Sequence, residues 1–112
     1  MFKTHNTNPE IVSKMSGGLR GYVGIHYAKL VQLLGESAKT DEYKTDAEWY
    51  IDFGNNLVAS IYNYKNGKNY LGAEGLAKED ITTWHIGGES VEVVTLVGKL
   101  LNAPVETHYL SA

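Results

Sequence analysis

Residues 46–65, DAEWYIDFGNNLVASIYNYK, constrain the fold more than any other stretch. Ala47, Trp49, Ile51 and Phe53 are apolar and alternate with Glu48, Tyr50 and Asp52. That is the period-2 pattern of a half-buried strand. Leu57, Ala59 and Ile61 alternate with Val58, Ser60 and Tyr62 in a second run. Gly54-Asn55-Asn56 lies between the runs and carries turn residues. Paired residues of an antiparallel hairpin share a face, so loop length fixes which side chains meet. A two-residue loop pairs Phe53 with Val58, Ile51 with Ser60 and Trp49 with Tyr62. A three-residue loop pairs Phe53 with Leu57, Ile51 with Ala59 and Trp49 with Ile61. Only the second register gathers the apolar residues on one face. It calls for a type I turn closed by a left-handed residue, a role Asn56 can take. The opposite face then carries Glu48, Tyr50, Asp52, Ser60, Tyr62 and Tyr64, which makes it tyrosine-rich with an acidic edge.

The remaining elements arrange themselves around this hairpin. Residues 1–16 show no clear period and read as a loose arm, with a short turn around 11–15. Leu19, Gly21, Val23 and Ile25 alternate with Arg20, Tyr22 and Gly24 in a first strand. Its glycines suggest a bulge or a close backbone approach. Tyr27, Leu30, Val31 and Leu34 form the apolar stripe of a helix over 26–34, which Gly35 ends. Residues 36–45 are polar and read as an exposed connection. After the hairpin, Asn66-Gly67 signals a turn, with Lys65 opposite Lys68 in a further small hairpin. The rest of 66–80 is a long loop. Such loops are often functional. A strand over 81–86 follows and ends at Gly87-Gly88. Ser90 then caps a helix over 91–101, and Asn102 and Pro104 stop it. Residues 103–112 read as a tail.

The predicted order is strand, helix, strand, strand, strand, helix. The fold class is α+β: a mostly antiparallel sheet of about four strands with two helices on one face. The 112 residues suffice for one domain with one core. Trp49, Ile51, Phe53, Leu57, Ala59, Ile61, Trp84 and Ile86 are the expected sheet side of that core.

Composition excludes more than it assigns. The chain has no cysteine, which removes disulfides and thiolate metal sites. Residues 1–10 lack the apolar stretch of a signal peptide, and no apolar run approaches ~20 residues, so no membrane span is expected. A formal net charge of −3 argues against a general nucleic-acid binder. Gly21-x-x-Gly24 sits inside a strand, where a dinucleotide fingerprint would open a helix. GAEGLAK, residues 72–78, lacks the spacing of a phosphate loop. His5, His26, His85 and His108 are scattered, and no metal is expected at this spacing. Glu48 and Asp52 would stand ~13 Å apart on one strand, too far for an acid–base pair. No nucleophile motif is present, so an enzymatic reading has the least support and no cofactor is expected.

One constellation remains. Glu48 and Tyr62 are cross-strand partners in the chosen register, and His85 is expected on the same face. Gly87-Gly88 would supply backbone donors ahead of a helix N-terminus, which can hold an anion, although Glu89 would repel one. A satisfied surface histidine is the simpler reading of His85.

Three blocks, KTDAEWYIDF (44–53), VASIYNYKNGKNYLG (58–72) and ITTWHIGG (81–88), resemble a group of short accessory proteins of tailed bacteriophages. The resemblance covers about the middle half of the chain and brings no catalytic motif. It implies a phage product acting in the host cytoplasm. Small phage proteins of this kind often antagonise host defence, as anti-CRISPR proteins or as sponges for nucleotide signals. The first expectation is therefore a non-enzymatic inhibitor that binds a host defence protein through the tyrosine face and the 66–80 loop. Glu48, Tyr50, Tyr62, Tyr64, Lys65, Lys68, Tyr70 and His85 are the candidate binding residues. Acid at the rim would suit a basic target. The alternative is a sponge, for example an oligomer, in which Tyr62, Tyr64 and Trp84 stack a base while Lys65, Lys68 or Arg20 neutralise phosphate.

Overall fold

The computed structural model describes residues 3–4, 18–37, 45–55 and 57–108. The fold is α+β. Six antiparallel strands form one sheet: β1 (Lys3–Thr4), β2 (Gly18–Gly24), β3 (Glu48–Asp52), β4 (Val58–Tyr62), β5 (Thr83–Gly88) and β6 (Val105–Thr107). Their spatial order is β1-β3-β4-β5-β2-β6. The helices among the described residues are α1 (Tyr27–Leu34), the single turn α2 (Lys68–Leu71) and α3 (Glu92–Leu101).

The hairpin has the register that hydrophobic alternation demands. Trp49 pairs with Ile61, Ile51 with Ala59 and Glu48 with Tyr62. The Phe53 amide donates to the Leu57 carbonyl at 2.8 Å, which closes a three-residue loop. Positive φ falls on Gly54 (87°) and Asn55 (54°). The expected left-handed residue, Asn56, lies outside the described residues. Asp52 Oδ1 accepts the Gly54 amide at 2.8 Å and so favours the bend starting at that glycine.

One face of the sheet carries the core. Trp49, Ile51, Ala59, Ile61, Trp84, Ile86 and Val23 pack there against Leu30 and Leu34 of α1 and against Val93, Val94, Val97 and Leu101 of α3. Phe53 and Leu57, expected in the core, are only partly buried at its edge. Trp49 and Trp84 meet edge to face at 5.4 Å, with Tyr27 beside both. Each indole also fixes one end of α1. Trp84 Nε1 donates to the Ile25 carbonyl just before the helix, at 3.0 Å. Trp49 Nε1 donates to the Gly35 carbonyl just after it, at 2.9 Å. Burial of two large rings and hydrogen bonding of the two backbone carbonyls that flank α1 are thus one arrangement.

Several expectations are corrected. Residues 103–112 are not all tail, because Val105–Thr107 forms β6 along β2. The approach is close. A Cβ on Gly21 would lie 2.5 Å from the Glu106 carbonyl oxygen and 2.9 Å from a Val94 methyl, so only glycine fits. The N-terminal arm contributes β1, whose Lys3 and Thr4 pair with Asp52 and Ile51. The turn expected at 11–15 and most of the 36–45 connection lie outside the described residues.

Nor does a small hairpin form at Asn66-Gly67. Lys68 opens α2, and two 3-10 turns follow at Gly72–Glu74 and Lys78–Asp80. Side chains win over the turn dipeptide here. Asn63 is fully buried, and its Oδ1 accepts the amides of Asp46 (2.7 Å) and Ala47 (3.1 Å). Its Nδ2 donates to Asp46 Oδ1 and Asn66 Oδ1. Asp46 Oδ2 in turn accepts the Asn69 amide. The segment is drawn back onto the start of β3.

Candidate functional site

The helices α1 and α3 cover one face of the sheet, and the candidate residues sit mainly on the other. Strand alternation puts Glu48, Tyr50, Ser60, Tyr62, His85 and Tyr22 there, opposite the Trp49 and Trp84 side. Tyr62 pairs with both Glu48 and His85, and His85 pairs with Tyr22. The rings touch. His85 stacks on Tyr62 at 5.4 Å with 23° between planes, and meets Tyr22 edge-on at 5.2 Å and Tyr64 at 6.0 Å. His108 approaches Tyr22 at 6.0 Å.

The cluster continues into the next segment. Lys65 Nζ lies 5.3 Å from the Tyr64 ring and 5.5 Å from the Tyr70 ring. Tyr64 and Tyr70 are exposed, as are Leu71 and Leu76 further along the same segment. Lys68 is also exposed, at the start of α2, and stands apart from the ring contacts among the described residues. Tyr50 completes the acidic end, with its hydroxyl donating to Glu48 Oε1 at 2.7 Å. Burial, then that hydrogen bond and the negative charge of Glu48, push the Tyr50 hydroxyl pKa well up. Tyr62 is raised as well, first by burial, then by the neighbouring Tyr64, Tyr22 and Glu48.

The His85 pKa is lowered, first by burial and then by the charge of His108. Its Nδ1 is buried with no hydrogen-bond partner among the described residues. The simpler reading of a satisfied surface histidine is therefore corrected: the ring is half-buried among tyrosines. A histidine whose folded-state pKa lies below its unfolded value of ~6.5 binds fewer protons when folded. Its stabilising contribution is present above pH ~6.5 and is lost as pH falls towards the folded value. His85→Gln is expected to flatten that part of the profile. Melting temperatures of both proteins between pH 7.5 and 5 check it: wild type should fall further.

The anion cradle does not form. Gly87 and Gly88 lie inside β5, paired with Ser60 and Ala59 on one side and with Leu19 and Gly18 on the other. Their lack of side chains is used in packing. A Cβ on Gly87 would meet Ser60 Oγ at 2.7 Å and Tyr62 at 3.3 Å, and one on Gly88 would meet Val93 at 2.9 Å. Arg20 donates to the Gly88 and Glu89 carbonyls at 2.8 and 2.9 Å, so its guanidinium is tied to the end of β5. Trp84 is fully buried in the core and is not placed to stack a base. Ser90 is not the N-cap: the helix starts at Glu92 with Val91 in that position, and Ser90 Oγ, one residue earlier, accepts the Glu92 amide at 3.2 Å.

Sequence reasoning missed Tyr22, Glu106 and His108 as neighbours of the candidate residues. Tyr22 was on the polar side of its alternating run, but alternation does not say which strand lies next to which. Glu106 sits in β6, opposite Tyr22. A separate cleft of ≈ 630 Å³ opens on the helix side, between the hairpin tip (Phe53, Leu57) and α3 (Leu96, Leu100). No group of three histidine, aspartate or glutamate residues among the described residues could hold a metal ion. No helix among them is long and apolar enough to cross a membrane. No protein family, curated protein or solved structure matches the chain.

Proposed function

We propose that the protein is a non-enzymatic phage inhibitor of a bacterial defence complex, acting in the host cytoplasm. It binds a host protein through the helix-free sheet face and the adjoining 64–76 segment. One observation carries the binding reading: a continuous run of rings, Tyr22, His85, Tyr62 and Tyr64, extended by Lys65 to Tyr70. Tyrosines offer large contact area at low entropic cost and are enriched at interfaces. Here they stand on or beside paired strands, so little ordering is left to occur on binding. The phage setting rests on the sequence resemblance alone.

The test combines phage protection with melting. Expression of the chain in hosts carrying single defence systems should restore plaquing against one of them. Tyr64→Ala should lose that rescue, because an interface anchor typically costs ≥2 kcal/mol, about thirtyfold in affinity. The same change at an exposed side chain should alter stability by no more than about 0.5 kcal/mol. Full rescue by Tyr64→Ala would remove this surface from the account.

A second reading is favoured by the near-parallel Tyr62 and His85 rings beside Tyr64 and Lys65. Stacked rings next to a cation suit a nucleotide base and phosphate. A signalling nucleotide that raised the melting temperature would support a sponge.

A further inference from the structure

We propose that the open face receives an arginine-bearing segment of the partner protein, laid across the strands. This rests on the binding reading above and names the chemistry of what is bound. In the sheet, Glu48 pairs with Tyr62, Tyr62 with His85, His85 with Tyr22 and Tyr22 with Glu106. One row therefore crosses β3, β4, β5, β2 and β6. It begins and ends in a carboxylate and has aromatic rings between. Four strand spacings of ~4.8 Å set its ends about 19 Å apart.

Each part of the row suits a guanidinium. The middle rings follow one another at 5.4 Å, near-parallel, and at 5.2 Å, edge to face, a row of π systems against which a planar cation can pack. The terminal carboxylates accept paired N–H bonds from arginine. Glu106 is exposed and Glu48 half-buried with one oxygen bonded to Tyr50, so both carboxylates retain acceptor capacity. The protein seats its own cations on rings in the same way. Lys65 lies over Tyr64 and Tyr70, and Lys78 Nζ lies 5.3 Å from the Tyr27 ring. A phosphate-bearing partner would meet negative charge at both ends of the row. Arg20, the cation of β2, is turned to the Gly88 and Glu89 carbonyls.

The test uses two synthetic peptides and the whole chain. One peptide carries arginines six residues apart, about 20 Å when extended. In the other, glutamates replace both arginines. Fluorescence polarisation should detect the arginine peptide and not its glutamate counterpart. Glu48→Gln with Glu106→Gln should weaken binding roughly three- to tenfold, as expected for two partly exposed ion pairs. Glutamine keeps an acceptor for Tyr50, so the row should stay folded, and unchanged melting would check this. Equal binding of both peptides, or an unchanged dissociation constant in the double variant, overturns the inference. So does no arginine-peptide binding at millimolar concentration while Tyr64→Ala still abolishes phage protection. That last result leaves the inhibitor reading standing. Arginine-specific binding together with full protection by Tyr64→Ala does the reverse.

Discussion

Trp49→Ala is expected to lower stability by about 3–5 kcal/mol, the usual result of emptying a buried aromatic site. Trp49 is fully buried, lies edge-on to Trp84 and packs beside Tyr27. Its loss removes more than area. The Gly35 carbonyl at the end of α1 loses the indole donor. That end is partly exposed, so water can replace the donor and the cavity is the larger part of the effect. Denaturant unfolding of both proteins gives the difference directly. A change below about 1 kcal/mol would place Trp49 outside the core and invert the two faces of the sheet.

Asn63→Ala is expected to destabilise by about 3 kcal/mol or more, although it deletes little apolar surface. Asn63 Oδ1 accepts the amides of Asp46 and Ala47, and Nδ2 donates to Asp46 and Asn66. Ala47 is fully buried, so its amide would be left without a partner. Each buried unsatisfied group costs about 1–3 kcal/mol, and Asp46 would lose a donor to its carboxylate as well. Asn63→Asp is not expected to rescue the fold, because it sets a second carboxylate against Asp46. The local consequence is readable. Asp46 also holds the Asn69 amide, and Asn69 Nδ2 donates to the Thr45 carbonyl. The 64–76 segment should therefore become sensitive to limited proteolysis in Asn63→Ala at temperatures where β3 and β4 remain protected from hydrogen exchange. Equal protease resistance in the two proteins would contradict this.

The β3–β4 register was legible because only one loop length puts Trp49, Ile51, Ala59 and Ile61 on a common face. The acid–tyrosine pair Glu48 and Tyr62 followed from the same choice. The ends of elements were not legible. Gly87 and Gly88 look like punctuation, yet they continue β5 because Ser60, Tyr62 and Val93 fill the space that side chains would need. Val105-Glu106-Thr107 is too short for a period, and its partner β2 lies some eighty residues earlier in the chain. The Asn66-Gly67 turn signal lost to the hydrogen bond that Asn63 donates to Asn66 and the one that Asp46 accepts from the Asn69 amide, partners the local sequence does not reveal. Strand order was the decisive missing piece for the site. Without β4-β5-β2-β6 adjacency, Tyr22 and Glu106 could not be placed beside Tyr62 and His85.

The central claim is that a partner covers the helix-free face, and the absence of native cysteine permits a direct measurement. Thr83 is exposed on β5 and, by alternation, faces the same side as His85. Gln32 is exposed on α1, on the side of the helices. Thr83→Cys and Gln32→Cys proteins, each labelled with a bulky maleimide, are compared in the assay that shows phage protection or partner binding. The account predicts that both unlabelled variants are active, that labelled Thr83→Cys is blocked, and that labelled Gln32→Cys is unaffected. Activity of labelled Thr83→Cys with loss in labelled Gln32→Cys would contradict it and move the binding surface to the helices.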